Sequence, residues 1–196
     1  GFLSLCTALS IFYKEPDIAA FILSTLITIA VGIPLSYTGK NAERKLSRKD
    51  GYVVVTFAWI IFSIFGMLPY YLSGYIPNLT NAFFETMSGF STTGASILDD
   101  IESLPHALLF WRSMTQWIGG MGIVIFTIAV LPIFGVGGIQ LFAAEATGPK
   151  IDKISPRIDV TAKWIWGIYI VLTITETLLL MLGGLSLFDS VCHAMS

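Results

Sequence analysis

Six residues, Ser91-Thr92-Thr93-Gly94-Ala95-Ser96, have types and spacing that suit chemistry. They form a small, polar, uncharged run between long apolar segments. The chemistry that suits them is coordination of a dehydrated cation, with the backbone carbonyls of Ser91 to Ala95 replacing its hydration shell. Gly94 is the pivotal position, because aligning successive carbonyls on one axis can need φ > 0, which glycine alone adopts cheaply. The same six residues also fit a polar external turn between two spans.

A filter of this kind needs a support that brings it to membrane depth. The surrounding stretch, Asn78 to Ser103, contains no Lys or Arg and is too short to cross a bilayer twice as helices. Its composition predicts a re-entrant loop: a short helix dipping in from one face, then extended backbone climbing out. Thr80 or Asn81 is expected to cap the helix, Ala82 to Met87 to continue it and Gly89 to end it. Such a helix aims its C-terminal carbonyls, the negative end of its dipole, at the membrane centre and favours a cation there. Non-helical backbone at that depth is tolerated only where protein or a water-filled cavity surrounds it.

The rest of the chain must then be a membrane protein, and its composition says so. Hydrophobic residues make up 55% and charged residues 12% of 196, with a mean hydropathy of +0.78, outside the soluble range. Residues 1–38 read as a transmembrane extension, with Ile18 to Thr38 long enough to span. Residues 39–51 read as a basic loop. Residues 52–134 read as span, pore loop (78–103) and span, residues 135–161 as a second loop, and residues 162–196 as the start of another unit. Nine of the 11 Lys and Arg fall in the stretches 39–51 and 135–163, which puts both in the cytoplasm and opens the pore loop outward. With no initiator Met and an unfinished element after Leu185, the chain reads as cut at both ends.

Three charged residues lie within apolar segments. Arg112 is expected to face a bundle interior and to have a partner. By depth, Arg112 lies about 12 Å down its helix and Glu85 about 6 Å into the pore helix, so a buried pair supporting the filter is open to them. Glu176, between Thr175 and Thr177, reads as a hydrogen-bonded structural carboxylate rather than a proton relay. The acidic run Asp99, Asp100 and Glu102 either concentrates cations or is an ordinary solvated loop. Cys6, Cys192, His106 and His193 are isolated and show no metal-ligand or disulfide spacing. Gly135-Val136-Gly137-Gly138 lacks the dinucleotide pattern. A membrane-embedded enzyme using Glu85, Cys192 or His193 is the alternative function, but no nucleophile–base spacing supports it.

The end of the chain echoes the pore loop. Placing Asp189 on Asn81 brings Met195 onto Met87 and Ser196 onto Ser88, an offset of 108, as tandem span–pore units would. With Ala82-Phe83-Phe84-Glu85-Thr86-Met87-Ser88-Gly89-Phe90-Ser91-Thr92-Thr93-Gly94-Ala95 and Phe110-Trp111-Arg112-Ser113-Met114-Thr115-Gln116-Trp117-Ile118-Gly119-Gly120-Met121-Gly122, the sequence resembles the Trk-type potassium uptake proteins, the membrane subunits of the TrkH/KtrB superfamily. The resemblance implies an all-α integral membrane protein of span–pore loop–span repeats around one potassium pathway, of which this chain is less than half. It implies that Thr92, Thr93, Gly94 and Ala95 form one of four filter strands, with potassium held by the carbonyls of Thr92, Thr93 and Gly94. Ser91, Glu85 and Arg112 would support that strand. It further implies potassium as substrate, no cofactor in this chain, a homodimer of the full-length protein, and a cytoplasmic nucleotide-binding regulatory subunit. The setting would be the lipid of a bacterial or archaeal cytoplasmic membrane, with no nucleic-acid partner.

Overall fold

A computed structural model of the chain describes residues 2–39, 48–130 and 158–196, without the side chains of 48–52, 125–130 and 158–161. The expected loop 135–161 lies outside these residues except for the backbone of 158–161, and so does most of loop 39–51. Every regular element described is a helix: α1 (Phe2–Tyr13), α2 (Ile18–Thr38), α3 (Arg48–Gly66), α4 (Leu68–Leu72), α5 (Leu79–Phe90), α6 (His106–Val130), α7 (Ile158–Leu182) and α8 (Leu187–Met195). The chain divides into two units, Gly1–Gly119 with Met195–Ser196, and Gly120–Ala194.

In the first unit, α1 and α2 form a hairpin. Its turn is set by Lys14 at φ 56°, by the amide of Glu15 donating to Ser10 O at 3.1 Å, and by the Ser10 hydroxyl donating to Asp17 Oδ1. Cys6, Ser10, Ala20, Phe21 and Ser24 are buried. The predicted span after Gly51 is interrupted at its far end. Pro69 has no N–H to continue the helical ladder, so α3 stops at Gly66 and α4 restarts at Leu68. The indole of Trp111, from α6, donates to Gly66 O at 2.9 Å beside the break. Phe21, Tyr70, Ile76, Ala82, Leu108 and Trp111 belong to the shared core.

Three helical stretches among the described residues are long and apolar enough to cross a membrane: Ile18–Thr38, Val53–Leu72 and Ala162–Leu182. Only 17, 28 and 6% of their apolar windows are buried. Ile22, Leu26, Ile33, Phe57 and Ile61 in the first unit, and Leu172 and Leu179 in the second, are instead exposed. Apolar surface on this scale suits lipid, not water, and the chain is an integral membrane protein. The fourth expected crossing is α6. On it Ser113 and Thr115 are buried in the protein, with Arg112 and Gln116 half-buried.

In the second unit, α7 corrects the expectation for Glu176. Thr173, Thr175 and Thr177 donate to the carbonyls of Tyr169, Val171 and Thr173, one turn back. Glu176 is exposed on this chain, and residues adjacent on a helix point in different directions, so the hydroxyls of Thr175 and Thr177 do not serve it. Helix α8 is capped by Ser186, whose hydroxyl accepts from Asp189 N at 3.1 Å and donates to Asp189 Oδ2 at 2.7 Å.

Candidate cation-binding site

The site begins at the start of α5. Asn78 caps it, with extended backbone (φ −86°, ψ 122°) and a side-chain oxygen that accepts from Thr80 N at 2.9 Å and Asn81 N at 3.2 Å. Thr80 and Asn81, the expected caps, are thus the capped residues. They already lie within the first turn, where their amides have no carbonyl to bond. The caps Asn78 and Ser186 stand at the same offset of 108 that aligns Asn81 with Asp189.

Helix α5 runs to Phe90, one residue past Gly89, and the chain then reverses. Ser91 N donates to Met87 O, Thr92 N to Gly89 O and Thr93 N to Ser88 O, at 2.9 to 3.0 Å. Gly94 has φ 72°, and Thr92 has φ 56°. The second value falls on a β-branched residue, for which the left-handed region is a genuine outlier worth roughly 1–3 kcal/mol of strain. Small polar contacts hold Thr92 there: its hydroxyl donates to Ser91 O at 2.7 Å, and Ser91 Oγ lies 2.8 Å from Thr93 Oγ1.

The carbonyls of this run differ in occupancy. Ala95 O accepts from Ser88 Oγ at 2.6 Å and Ser91 O from the Thr92 hydroxyl, whereas among the described residues the carbonyls of Thr92, Thr93 and Gly94 accept no hydrogen bond. Three consecutive unpaired carbonyls therefore follow the negative end of a helix dipole, an arrangement able to hold a dehydrated cation.

Glu85 anchors the far side of the loop. It is 3% exposed. Its Oε1 accepts from Arg112 Nε at 3.0 Å, and Ser96 Oγ lies 3.0 Å from both carboxylate oxygens. Oε2 also accepts from Ile97 N at 3.0 Å, and Leu98 N donates to Ser96 Oγ at 3.1 Å. The carboxylate thereby ties α5, α6 and residues 96–98 together. Burial strengthens each of these bonds because no water competes for them.

Helix α6 packs against α5 at backbone distance. A Cβ on Gly89 would collide with Thr115 Oγ1, and one on Gly119 with the carbonyl of Phe90. Behind Gly94 stands Gln116, whose Nε2 lies 3.7 Å from where a Gly94 Cβ would be and whose Oε1 is buried without a hydrogen-bond partner among the described residues.

Of the residues singled out from sequence, Ser91 to Ala95 lie in this loop, and Glu85 and Arg112 meet behind it. Cys192 and His193 lie on α8, in the second unit. Sequence reasoning missed Ser88, the left-handed Thr92 and the amide of Ile97. A serine inside a helix, a threonine in a polar run and a main-chain N–H carry no local signal of such roles.

Comparison with known proteins gives a consistent picture. The family model for TrkH, described as a cation transport protein, matches residues 17–196. The Trk system potassium uptake protein TrkH of Salmonella typhimurium is 42% identical over 190 residues, covering 95% of this chain and 39% of that protein. TrkG of Escherichia coli K12, also a Trk system potassium uptake protein, is 38% identical over 190 residues, with the same coverage of each chain. The crystal structure of the potassium transporter TrkH from Vibrio parahaemolyticus superimposes with a TM-score of 0.84 at 30% identity, covering 98% of this chain and 38% of that one. The chain thus spans about two-fifths of the length of the relatives it matches.

Proposed function

Because this chain belongs to the TrkH family of cation transport proteins, we propose that it contributes one strand of a potassium-selective filter to a larger membrane subunit that takes up potassium. Potassium is the substrate, and its ligands from this chain are the carbonyls of Thr92, Thr93 and Gly94. The observation that carries the reading is the run of three unpaired carbonyls at the C-terminal end of α5. Ala95 anchors the strand through Ser88 rather than facing the ion, and Glu85, Ser96 and Arg112 hold its outer half.

Helix α5 is the pore helix of a first span–pore–span repeat over residues 52–134. The extension over residues 1–38 precedes it, and a second repeat starts at residue 162. The common 108-residue offset of the caps Asn78 and Ser186 supports that division. The remaining filter strands belong to parts of the full-length subunit beyond this chain. The basic loops 39–51 and 135–161 lie in the cytoplasm of a bacterial or archaeal cell, and the pore loop opens outward. The full-length subunit forms a homodimer, works with a cytoplasmic nucleotide-binding regulator and needs no cofactor within this chain.

The filter strand is not an enzyme's active centre: Glu85, the buried carboxylate, is committed to Arg112, Ser96 and Ile97. The test is growth rescue at low potassium. The complete protein, wild type and Gly94→Ser, is expressed with its regulator in a bacterium lacking its own uptake systems, and rubidium and sodium influx are measured. Wild-type rescue with lost or sodium-permeable transport in the variant is expected. No cation flux from well-expressed wild type would return residues 91–96 to an external turn.

A further inference from the structure

The N-terminal hairpin touches the site through one contact that neither the family match nor the filter reading explains. Helix α6, which carries Arg112, has no acidic residue in its own first turn. Its free amides are capped by a residue 91 positions away: Glu15 Oε1 accepts from His106 N at 2.8 Å and Oε2 from Ala107 N at 3.1 Å. The His106 ring nitrogen Nδ1 also lies 2.8 Å from Glu15 Oε1, and the Tyr13 ring stacks on the His106 imidazole at 4.2 Å and 4°.

Glu15 is well placed to hold this helix. Its backbone is fixed by Ser10 O and by the left-handed turn at Lys14, and the hairpin behind it is closed by the buried Asp17 and Ser10. A carboxylate at a helix N-terminus also meets the positive end of the dipole. Six residues further along α6, about 9 Å, is Arg112, which grips Glu85, and Glu85 grips Ser96 and Ile97.

We propose that Glu15 is a positioning residue for the filter: by clamping the first turn of α6 it sets the height of Arg112, and through Glu85 the height of the strand that coordinates potassium. The proposal rests on the filter reading above. The hairpin is then a brace for ion selection, not only an extra pair of lipid-facing helices.

The test uses the complete protein with its regulator in the uptake-deficient bacterium, comparing wild type, Glu15→Gln and His106→Gln. Glu15→Gln loses the charge and one acceptor. At wild-type abundance in the membrane it should raise the potassium KM about fivefold, the equivalent of a lost helix cap, and increase sodium influx relative to rubidium. His106→Gln keeps both backbone contacts and should shift KM by about twofold, the scale of a half-exposed pair. A merely structural hairpin would lower the maximal rate for both ions in step with abundance, with KM and the sodium-to-rubidium ratio at wild-type values, and that result overturns the proposal. If Glu15→Gln does not reach the membrane, Glu15→Asp, which keeps the charge but shortens its reach to the two amides, decides, and an unchanged KM and ratio there are equally fatal. Absence of transport by the wild type would instead overturn the filter reading.

Discussion

Arg112 Nε donates to Glu85 Oε1 at 3.0 Å, joining two residues 27 positions apart, one on α5 and one on α6. Both are shielded, the carboxylate almost completely, with 1% of its side chain exposed against 15% for the arginine. Leaving one charge of such a pair buried alone costs about 3–5 kcal/mol. Glu85→Gln and Arg112→Gln should each abolish rubidium uptake and lower the thermal unfolding temperature of the purified protein. Normal uptake in both single variants would remove the pair from any role in holding the filter.

Gly94→Ser tests conformation rather than space. A Cβ there finds only ordinary contact with Gln116 at 3.7 Å, but φ 72° costs a non-glycine residue roughly 1–2 kcal/mol. The variant should accumulate normally in the membrane while losing preference for rubidium over sodium. An unchanged ratio of the two influxes would show that the Gly94 carbonyl does not face the ion.

Gly119→Ala tests space rather than conformation. The added methyl meets the backbone carbonyl of Phe90, which has no side-chain freedom to yield. Overpacking of this kind typically costs about 1–3 kcal/mol, and Gly89→Ala against Thr115 should behave likewise. Both variants are expected to reduce the amount of folded protein recovered from membranes, read by size-exclusion profile in detergent. Wild-type yield and profile for both would mean that α5 and α6 are not in backbone contact.

Asp17 gives a pH dependence. It precedes α2 outside the membrane-spanning segment, and burial holds its carboxyl above the usual range, opposed by the Ser10 hydroxyl and reinforced by the charge of Glu15. A raised acid contributes its full stability below its unfolded pKa, about 4, and loses it as pH rises through the folded value. Asp17→Asn removes that loss. The unfolding temperature of Asp17→Asn relative to wild type should therefore increase as pH rises from about 4 toward neutrality. A constant difference across that interval would contradict the assignment.

Asn78→Ala removes the acceptor for Thr80 N and Asn81 N and should cost about 1 kcal/mol. Asn78→Asp keeps the acceptor, so its unfolding temperature should stay near the wild-type value while that of Asn78→Ala falls. Equal falls in both would relocate the cap.

Much of this is readable in the sequence. The runs at Ile18 to Thr38, after Tyr52 and after Ala162 announce helices for lipid because hydrophobicity is a local property, summed over neighbours in sequence. Gly94 was legible because a glycine in a polar run has one conformational advantage to offer. The meeting of Glu85 with Arg112 was open to depth counting along two helices, since rise per residue is constant.

What the sequence by itself determined is the class of protein, the run of residues offering carbonyls and the helices that flank it. Tertiary structure alone decided which groups close on which: Ser96 and Ile97 on Glu85, Ser88 on Ala95, Trp111 on Gly66, and Glu15 on the first turn of α6. Each joins a polar group to a partner from another turn or element, 7 to 91 residues away. Nothing in the local pattern encodes such a choice. Buried donors and acceptors must find partners wherever packing brings the chain back, and packing is a property of the whole fold.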